Sequence, residues 1–241
     1  MKQSEHVKTN YQQPATVADF VAEVGVNIAL GLSRDDAMTR RTLYGPNRVT
    51  PPVNCPAWIC CLLPCLLRKA SMQLYQKALP REATVRRQVR GDGTKQSTRS
   101  LKMDAMSLVY GDVVELKVGD VAGADLRVVE CSTDCEVDQT TLVGDATRAR
   151  GRGSGRRKQV TTDRPSFHLE QDPLRCGNIV PMTATVVQGT AVAVVVATGD
   201  STIWGQMIAL QTWPVAPGTV DRDKKMEDDE EVEHEQTNLI V

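Results

Sequence analysis

Residues 111–127 read GDVVELKVGDVAGADLR, and after nine more residues positions 137–146 read VDQTTLVGDA. In the first run Val114, Leu116 and Val118 alternate with Glu115 and Lys117, the period-two pattern of a strand with one buried and one solvated face. Leu126 and Val128 alternate in the same way with Arg127 and Val129, which predicts a second strand of this kind. The glycine-aspartate pairs at 111–112 and 119–120 suit tight turns between strands. Further along, TAVAVVVAT at 190–198 is apolar on both parities, as expected of a strand covered on both faces. These segments predict a compact, mostly β core that begins near Thr84.

Outward from this core the pattern turns helical. Val17, Phe20, Val21, Val24 and Ile28 fall at helical spacing and form one apolar stripe. A second helix follows, with Ser33 as its N-cap and Asp36 three residues on, near the positive end of the helix dipole. Gly45 and Pro46 stop it. At the far end STIWGQMIAL reads as a short helix with Asp200 or Ser201 as its cap. Residues 1–15 are polar and read as a flexible arm.

The chain has 241 residues, 41% of them hydrophobic, and a formal net charge of -1. That is enough apolar content for one good core, and the charge gives no global bias toward nucleic acid or an anionic surface. The start, MKQSEHVKTNYQQP, lacks the apolar run of a secretory signal, so a cytoplasmic chain is expected. Seven unevenly placed cysteines argue against an extracellular disulfide framework. The most apolar stretch, PAWICCLLPCLL at 56–67, is shorter than the roughly 20 residues of a membrane span and holds an internal proline, Pro64. It reads as a buried or interfacial segment.

The motifs quoted above resemble the actuator domain of cation-transporting P-type ATPases, where a GD, a strand, a second GD, an AD-L-R and a VD lead into the sequence TGES. Gly123 stands where that family usually has proline before AD. The GLS at 31–33 and GPN at 45–47, with the prolines that follow, resemble the region before the first membrane helix in the same pumps, the sodium/potassium and proton/potassium types above all. RKASMQLYQKALPREATVRR, at 68–87, resembles the helix and first strand that enter the actuator. The two membrane helices of the family are missing between these stretches. TGDSTIWGQMIAL, at 198–210, resembles the actuator's end.

The resemblance implies a mainly β fold with helices, a distorted jelly-roll-like actuator carrying a helical N-terminal appendage. The expected organisation is an arm (1–15), a helical region (16–55), an apolar and helical linker in place of a membrane hairpin (56–83), the β domain (84–212) and an acidic tail (213–241). In the family the TGES glutamate positions the water that hydrolyses an aspartyl-phosphate. The matching positions here are Val143, Gly144, Asp145 and Ala146. Asp145 keeps a carboxylate with one methylene less reach, and a misplacement of about 1 Å in such a site costs roughly a hundredfold. Val143 and Ala146 replace two hydroxyls.

No DKTGT, GxGxxG or P-loop pattern occurs in the sequence, so autonomous ATP hydrolysis is not expected. No cofactor is expected on this chain alone, ATP and magnesium being implied for full-length family members. The functional expectation is a truncated sodium/potassium-type pump homologue that serves as a non-autonomous or regulatory module, with a full-length P-type ATPase as partner. A truncated gene product would carry the same features.

Directly after the signature, RARGRGSGRRK at 148–158 places Arg148, Arg150, Arg152, Arg156, Arg157 and Lys158 in eleven residues without an acid. Such a loop is read as disordered and is an anion-binding candidate. The competing functional reading is a module that binds RNA or anionic lipid through this loop. With no aromatic residue interleaved for base stacking, nucleic acid is the weaker of these partners. The segment at 221–235 carries nine acids against three bases and could screen that loop. Cys60, Cys61 and Cys65, beside Arg68 and Lys69, are lipidation candidates and give the chain a route to peripheral membrane contact. Cys131 and Cys135 read as ordinary residues of the β core, and no metal site is expected.

Overall fold

The computed structural model describes residues 16–52, 70–90, 96–144, 157–162 and 173–214. Five α-helices lie in them: α1 (Val17–Val24), α2 (Arg34–Tyr44), α3 (Ala70–Ala78), α4 (Thr140–Val143) and α5 (Ile203–Ala209). Nine strands alternate with these: β1 (Glu82–Arg90), β2 (Gln96–Asp104), β3 (Val113–Lys117), β4 (Asp125–Cys131), β5 (Glu136–Asp138), β6 (Arg157–Gln159), β7 (Ile179–Val180), β8 (Thr185–Gln188) and β9 (Thr190–Ala197). Six form one sheet in the order β2-β1-β3-β9-β4-β7, and three form another in the order β6-β5-β8. Every pairing of named strands is antiparallel.

The two helices expected before the core are both present, the second starting at the expected cap. Thr16 accepts from Asp19 N at 3.1 Å to start α1. Gly25, in the left-handed conformation, ends it after Val24, so Ile28 lies beyond the helix yet still packs against the same apolar cluster. Ser33 caps α2 by accepting from Asp36 N at 3.1 Å while its hydroxyl donates to the Asp36 carboxylate at 2.7 Å.

The large sheet is buried on both sides. One face, with Val85, Val114, Leu126, Val128, Ala193 and Val195, packs against Val137, Val160 and Val186 in or beside the small sheet. The other face, with Val113, Val129, Val194 and Val196, is covered by Phe20, Val24, Val26, Leu32 and Ala37 of the N-terminal helices and their connections. The double-sided burial expected for β9 is therefore present. For β4 the expectation of a solvated face is corrected, since Arg127 is only 2% exposed and Val129 is buried. The Arg127 guanidinium lies 5.6 Å from the centre of the Phe20 ring, where the aromatic face attracts the cation. Val118 is corrected in the opposite sense. It falls one residue past the end of β3 and is 62% exposed in the turn.

Polar side chains join the N-terminal region to the sheets. Asn47 of the GPN motif is buried, donates to the carbonyls of Ala105 (2.8 Å) and Gly123 (2.7 Å), and accepts from Gly199 N at 2.7 Å. Asp200 accepts from the backbone and hydroxyl of Thr50. That occupies the first of the two caps expected for α5. Thr202 is the N-cap instead, accepting from Gly205 N at 3.1 Å.

At the 111–112 pair, Gly111 has φ +82 and faces the guanidinium of Arg40, which donates to the carbonyls of Val24 and Tyr110. A Cβ at Gly111 would lie 1.8 Å from Arg40 Nη1, the movable end of a long side chain, so it is the backbone angle that requires glycine.

Across the sheet, Glu115 accepts from Arg86 Nε at 2.9 Å and from the Ser100 hydroxyl at 2.9 Å. Burial pushes the carboxyl up, but these bonds and the Arg86 charge outweigh it and hold it below its ordinary value. A depressed carboxylate contributes stability above its unfolded-state pKa and loses that contribution as pH falls through the folded one. Stability measured by denaturant titration should therefore fall as the solution is acidified below the usual carboxylate range. Glu115→Gln should flatten that part of the profile, and an unchanged slope would contradict the assignment.

Thr183, in the turn between β7 and β8, is 3% exposed with φ +75, an unusual conformation for a β-branched residue. Its N–H donates to the Ala122 carbonyl at 3.0 Å, but its buried hydroxyl has no hydrogen-bond partner among the described residues. Thr183→Gly should raise stability by about 1 kcal/mol. It relieves strain of about 1–2 kcal/mol and removes the orphan hydroxyl, against roughly 0.5–1 kcal/mol of added chain entropy. A lower melting temperature for this variant would refute the strain.

Candidate functional site

The signature stretch is built on the small sheet. β5 runs into Gln139 and the single turn of α4, where Asp138 Oδ1 accepts from Thr140 N at 2.8 Å and also from the Thr140 hydroxyl. The aspartate-x-threonine spacing is the local signal for this turn. Leu142, on the inner side of α4, is fully buried with Val49, Tyr75, Met182, Trp204, Ile208 and Trp213.

Trp213 holds the turn from outside, its indole N–H donating to the Thr141 carbonyl at 2.7 Å. Its ring meets that of Trp204 edge-on with centroids 5.5 Å apart, and Trp204 stacks on Tyr75 at 5.2 Å. Trp213, expected as the first residue of the acidic tail, is instead a buried part of this anchor. No local spacing marks its role at the turn, because the Thr141 carbonyl it holds lies 72 residues away.

Val143 is half-buried and ends α4. Gly144 follows with φ +77 and ψ 178, and its N–H donates to the Thr140 carbonyl at 2.9 Å. The tip of the turn thus needs a residue free to adopt positive φ, which glycine supplies. Its backbone donor is already engaged, and Val143 brings no hydroxyl. Asp145 and Ala146 lie outside the described residues.

The basic run leaves the described residues and returns at its end. Arg148, Arg150, Arg152 and Arg156 lie outside them. Arg157 and Lys158 begin β6, pairing with Asp138 and Val137, so the expectation of a disordered loop through residue 158 is corrected for these two. Arg157 is exposed. Lys158 turns inward, donating to the carbonyls of Ile179 (2.7 Å) and Leu174 (3.1 Å). The buried amide of Gln139, oriented to suit its neighbours, accepts from Lys158 Nζ at 3.1 Å and donates to the Leu174 carbonyl at 3.2 Å. Three acceptors match the three protons of the ammonium, so Lys158 braces the base of the signature turn.

The lipidation candidates Cys60, Cys61 and Cys65 lie outside the described residues. Cys135 is fully buried in the β core and Cys131 half-buried beside it, as expected. Burial pushes the Cys135 thiol up to about 11, which keeps it protonated and unreactive near neutral pH. No group of three histidine, cysteine or acidic side chains suited to a metal occurs among the described residues. None of their helices is long and apolar enough to cross a membrane.

Two antiparallel sheets with a braced single-turn helix that presents a glycine tip define an actuator-type module. The family model described as P-type ATPase actuator domain matches residues 77–212, and the chain belongs to that family. Among curated proteins it is similar to the sodium/potassium-transporting ATPase subunit alpha-4 of Rattus norvegicus, 27% identical over 81% of this chain and 22% of that protein. It is also similar to the human alpha-2 and alpha-4 subunits, each 32% identical over 58% of this chain and 11% of theirs. The chain therefore spans about a fifth or less of the length of these relatives. A solved zinc-transporting PIB-type ATPase in the E2.Pi state is a structural neighbour at 19% identity and TM-score 0.34, covering 57% of this chain and 17% of its own.

Proposed function

We propose that the chain is a non-autonomous, regulatory actuator module that docks on a cation pump of the sodium/potassium type in the cytoplasm, and does not hydrolyse ATP itself. The observation that carries this reading is the contrast at the signature turn. Its platform is fully assembled by Asp138, Gln139, Lys158 and Trp213. Yet the sequence at this point reads VGDA, and of the two described residues Gly144 has its N–H engaged by Thr140 and Val143 brings no hydroxyl. Such a surface retains the shape that docks while losing the groups that would position water on a phosphoenzyme. ATP and magnesium belong, in this reading, to the pump it meets.

The test is a pull-down of the tagged full chain from its own cells, followed by phosphoenzyme decay in pump-containing membranes with the chain added. A full-length P-type ATPase should be recovered, and Asp145→Asn should leave the decay rate unaltered. Failure to recover any pump would overturn the docking. A tenfold or larger change with Asp145→Asn would overturn the non-catalytic assignment.

A further inference from the structure

The outer strands of the two sheets differ in length. β7 has two residues, β6 three and β8 four, so these edges offer little to pair with. β2 closes the large sheet with nine, in unbroken antiparallel register with β1 from Glu82 opposite Asp104 to Arg90 opposite Gln96. It holds no proline and no bulge, and among the described residues no strand pairs with its outer side. Thr98, Arg99, Ser100, Lys102 and Asp104 are exposed. A long, flat edge of this kind is a template for one more strand.

The register shows which backbone groups face outward. Gln88 N–H donates to the Leu32 carbonyl on the side of β1 away from β2, and Ala105 N–H donates to the Arg81 carbonyl. Successive residues of a strand direct their backbone groups to opposite sides, so Ala83, Val85 and Arg87 face β2 and bond with Met103, Leu101 and Arg99. Thr98, Ser100, Lys102 and Asp104 therefore turn their N–H and C=O groups outward. Leu101 and Met103 carry their side chains on the face of the sheet that holds Val85, and both are half-buried.

We propose that this edge pairs with the same edge of a second copy of the chain, antiparallel and centred on Leu101. The edge is complementary to itself in that register. A two-fold axis there sets Ser100 opposite Lys102 and Thr98 opposite Asp104 of the other copy, each pair exchanging both backbone hydrogen bonds. Leu101 meets its own counterpart at a position without backbone bonds, where side chains come closest. Arg99 lies opposite Met103, which its aliphatic stem covers. No like charges stand directly opposite, and Lys102, the lysine of β2, already has its charge paired with Glu82. An axis at Arg99 or Lys102 would set like charges face to face, one at Ser100 would lose the Leu101 pair, and one at Met103 would run into the turn at Ala105–Ser107. The interface is small, so the dimer is weak and reversible. The edge shares no residue with the signature turn, and pairing does not require a pump.

Sedimentation equilibrium of the full chain from about 10 μM to 1 mM tests this, with amide hydrogen exchange at both ends of the range. A monomer–dimer equilibrium is expected, and the Ser100 and Lys102 amides should exchange roughly tenfold more slowly at the high concentration. Lys102→Pro removes an outward N–H without touching the bonds to β1, and should weaken the dimer by about tenfold or more. Lys102→Ala keeps that N–H and should leave the dimer unchanged. Should Lys102→Pro lower the melting temperature, the exchange rates of the unaltered chain decide alone.

A chain that stays monomeric at about 1 mM overturns the proposal. So does a dimer in which the two amides exchange at the monomer rate, since its contact lies elsewhere. Protection of these amides in the dilute monomer overturns it as well, because a segment of the same chain would then fill the edge.

Discussion

Asp112→Ala should lower the unfolding free energy by about 3–5 kcal/mol, with the urea midpoint as readout. The Asp112 carboxylate is fully buried and takes Arg87 in a two-pronged contact, at 3.0 Å to Nε and 2.7 Å to Nη2, while also accepting from Val109 N at 2.9 Å. Removing it strands a guanidinium that is 17% exposed and orphans a backbone donor in the turn that starts β3. The comparison is Lys102→Ala, which breaks the pair with Glu82 at positions 68% and 60% exposed. Water and salt already screen that pair, so its loss should be lost in the error of the measurement. Equal effects of the two variants would show that the Asp112 pair is not shielded as its burial implies.

Asp125→Asn is the second large effect, at about 3 kcal/mol. Asp125 is fully buried and divides its oxygens between two distant backbone donors, Met182 N at 2.6 Å and Ile203 N at 2.7 Å. It thereby ties β4 to the turn before β8 and to the start of α5. Asparagine matches aspartate in size but offers one acceptor, and turns an N–H₂ group toward the other donor. A loss below about 1 kcal/mol would mean that one of the two amides finds another partner. The two aspartates therefore show how the GD and AD motifs act in this chain, as buried polar ties between segments.

Much of the fold was legible because its signals are local. Ser33 and Gly45 delimit the second helix through contacts within three or four residues, and the apolar run at 190–198 declares a doubly buried strand by itself. The resemblance to the actuator was legible for the same reason, its motifs being short turns and strand ends. The errors cluster where a distant segment intervenes. Asp200 has good capping chemistry but is spent on Thr50, 150 residues away, which leaves Thr202 to cap α5. Arg157 and Lys158 look like the end of a solvated basic loop, yet β5 offers an edge to pair with and Lys158 finds three acceptors. Periodicity carries no sign of either partner.

The sequence by itself determined the local alphabet of this protein: the capped second helix, the strands with regular apolar patterns, where glycine allows a turn, and that position 145 carries an aspartate in a rewritten signature. Only the tertiary structure decided which faces are inside. Arg127 and Val129 read as the wet side of a strand until Phe20 and its helix cover them, because burial is a property of two surfaces meeting. The same holds for the signature turn, whose shape rests on Trp213 and Lys158. The free energy that holds it comes from hydrogen bonds and apolar contacts closed across long stretches of chain, and such contacts leave no periodic trace in either partner.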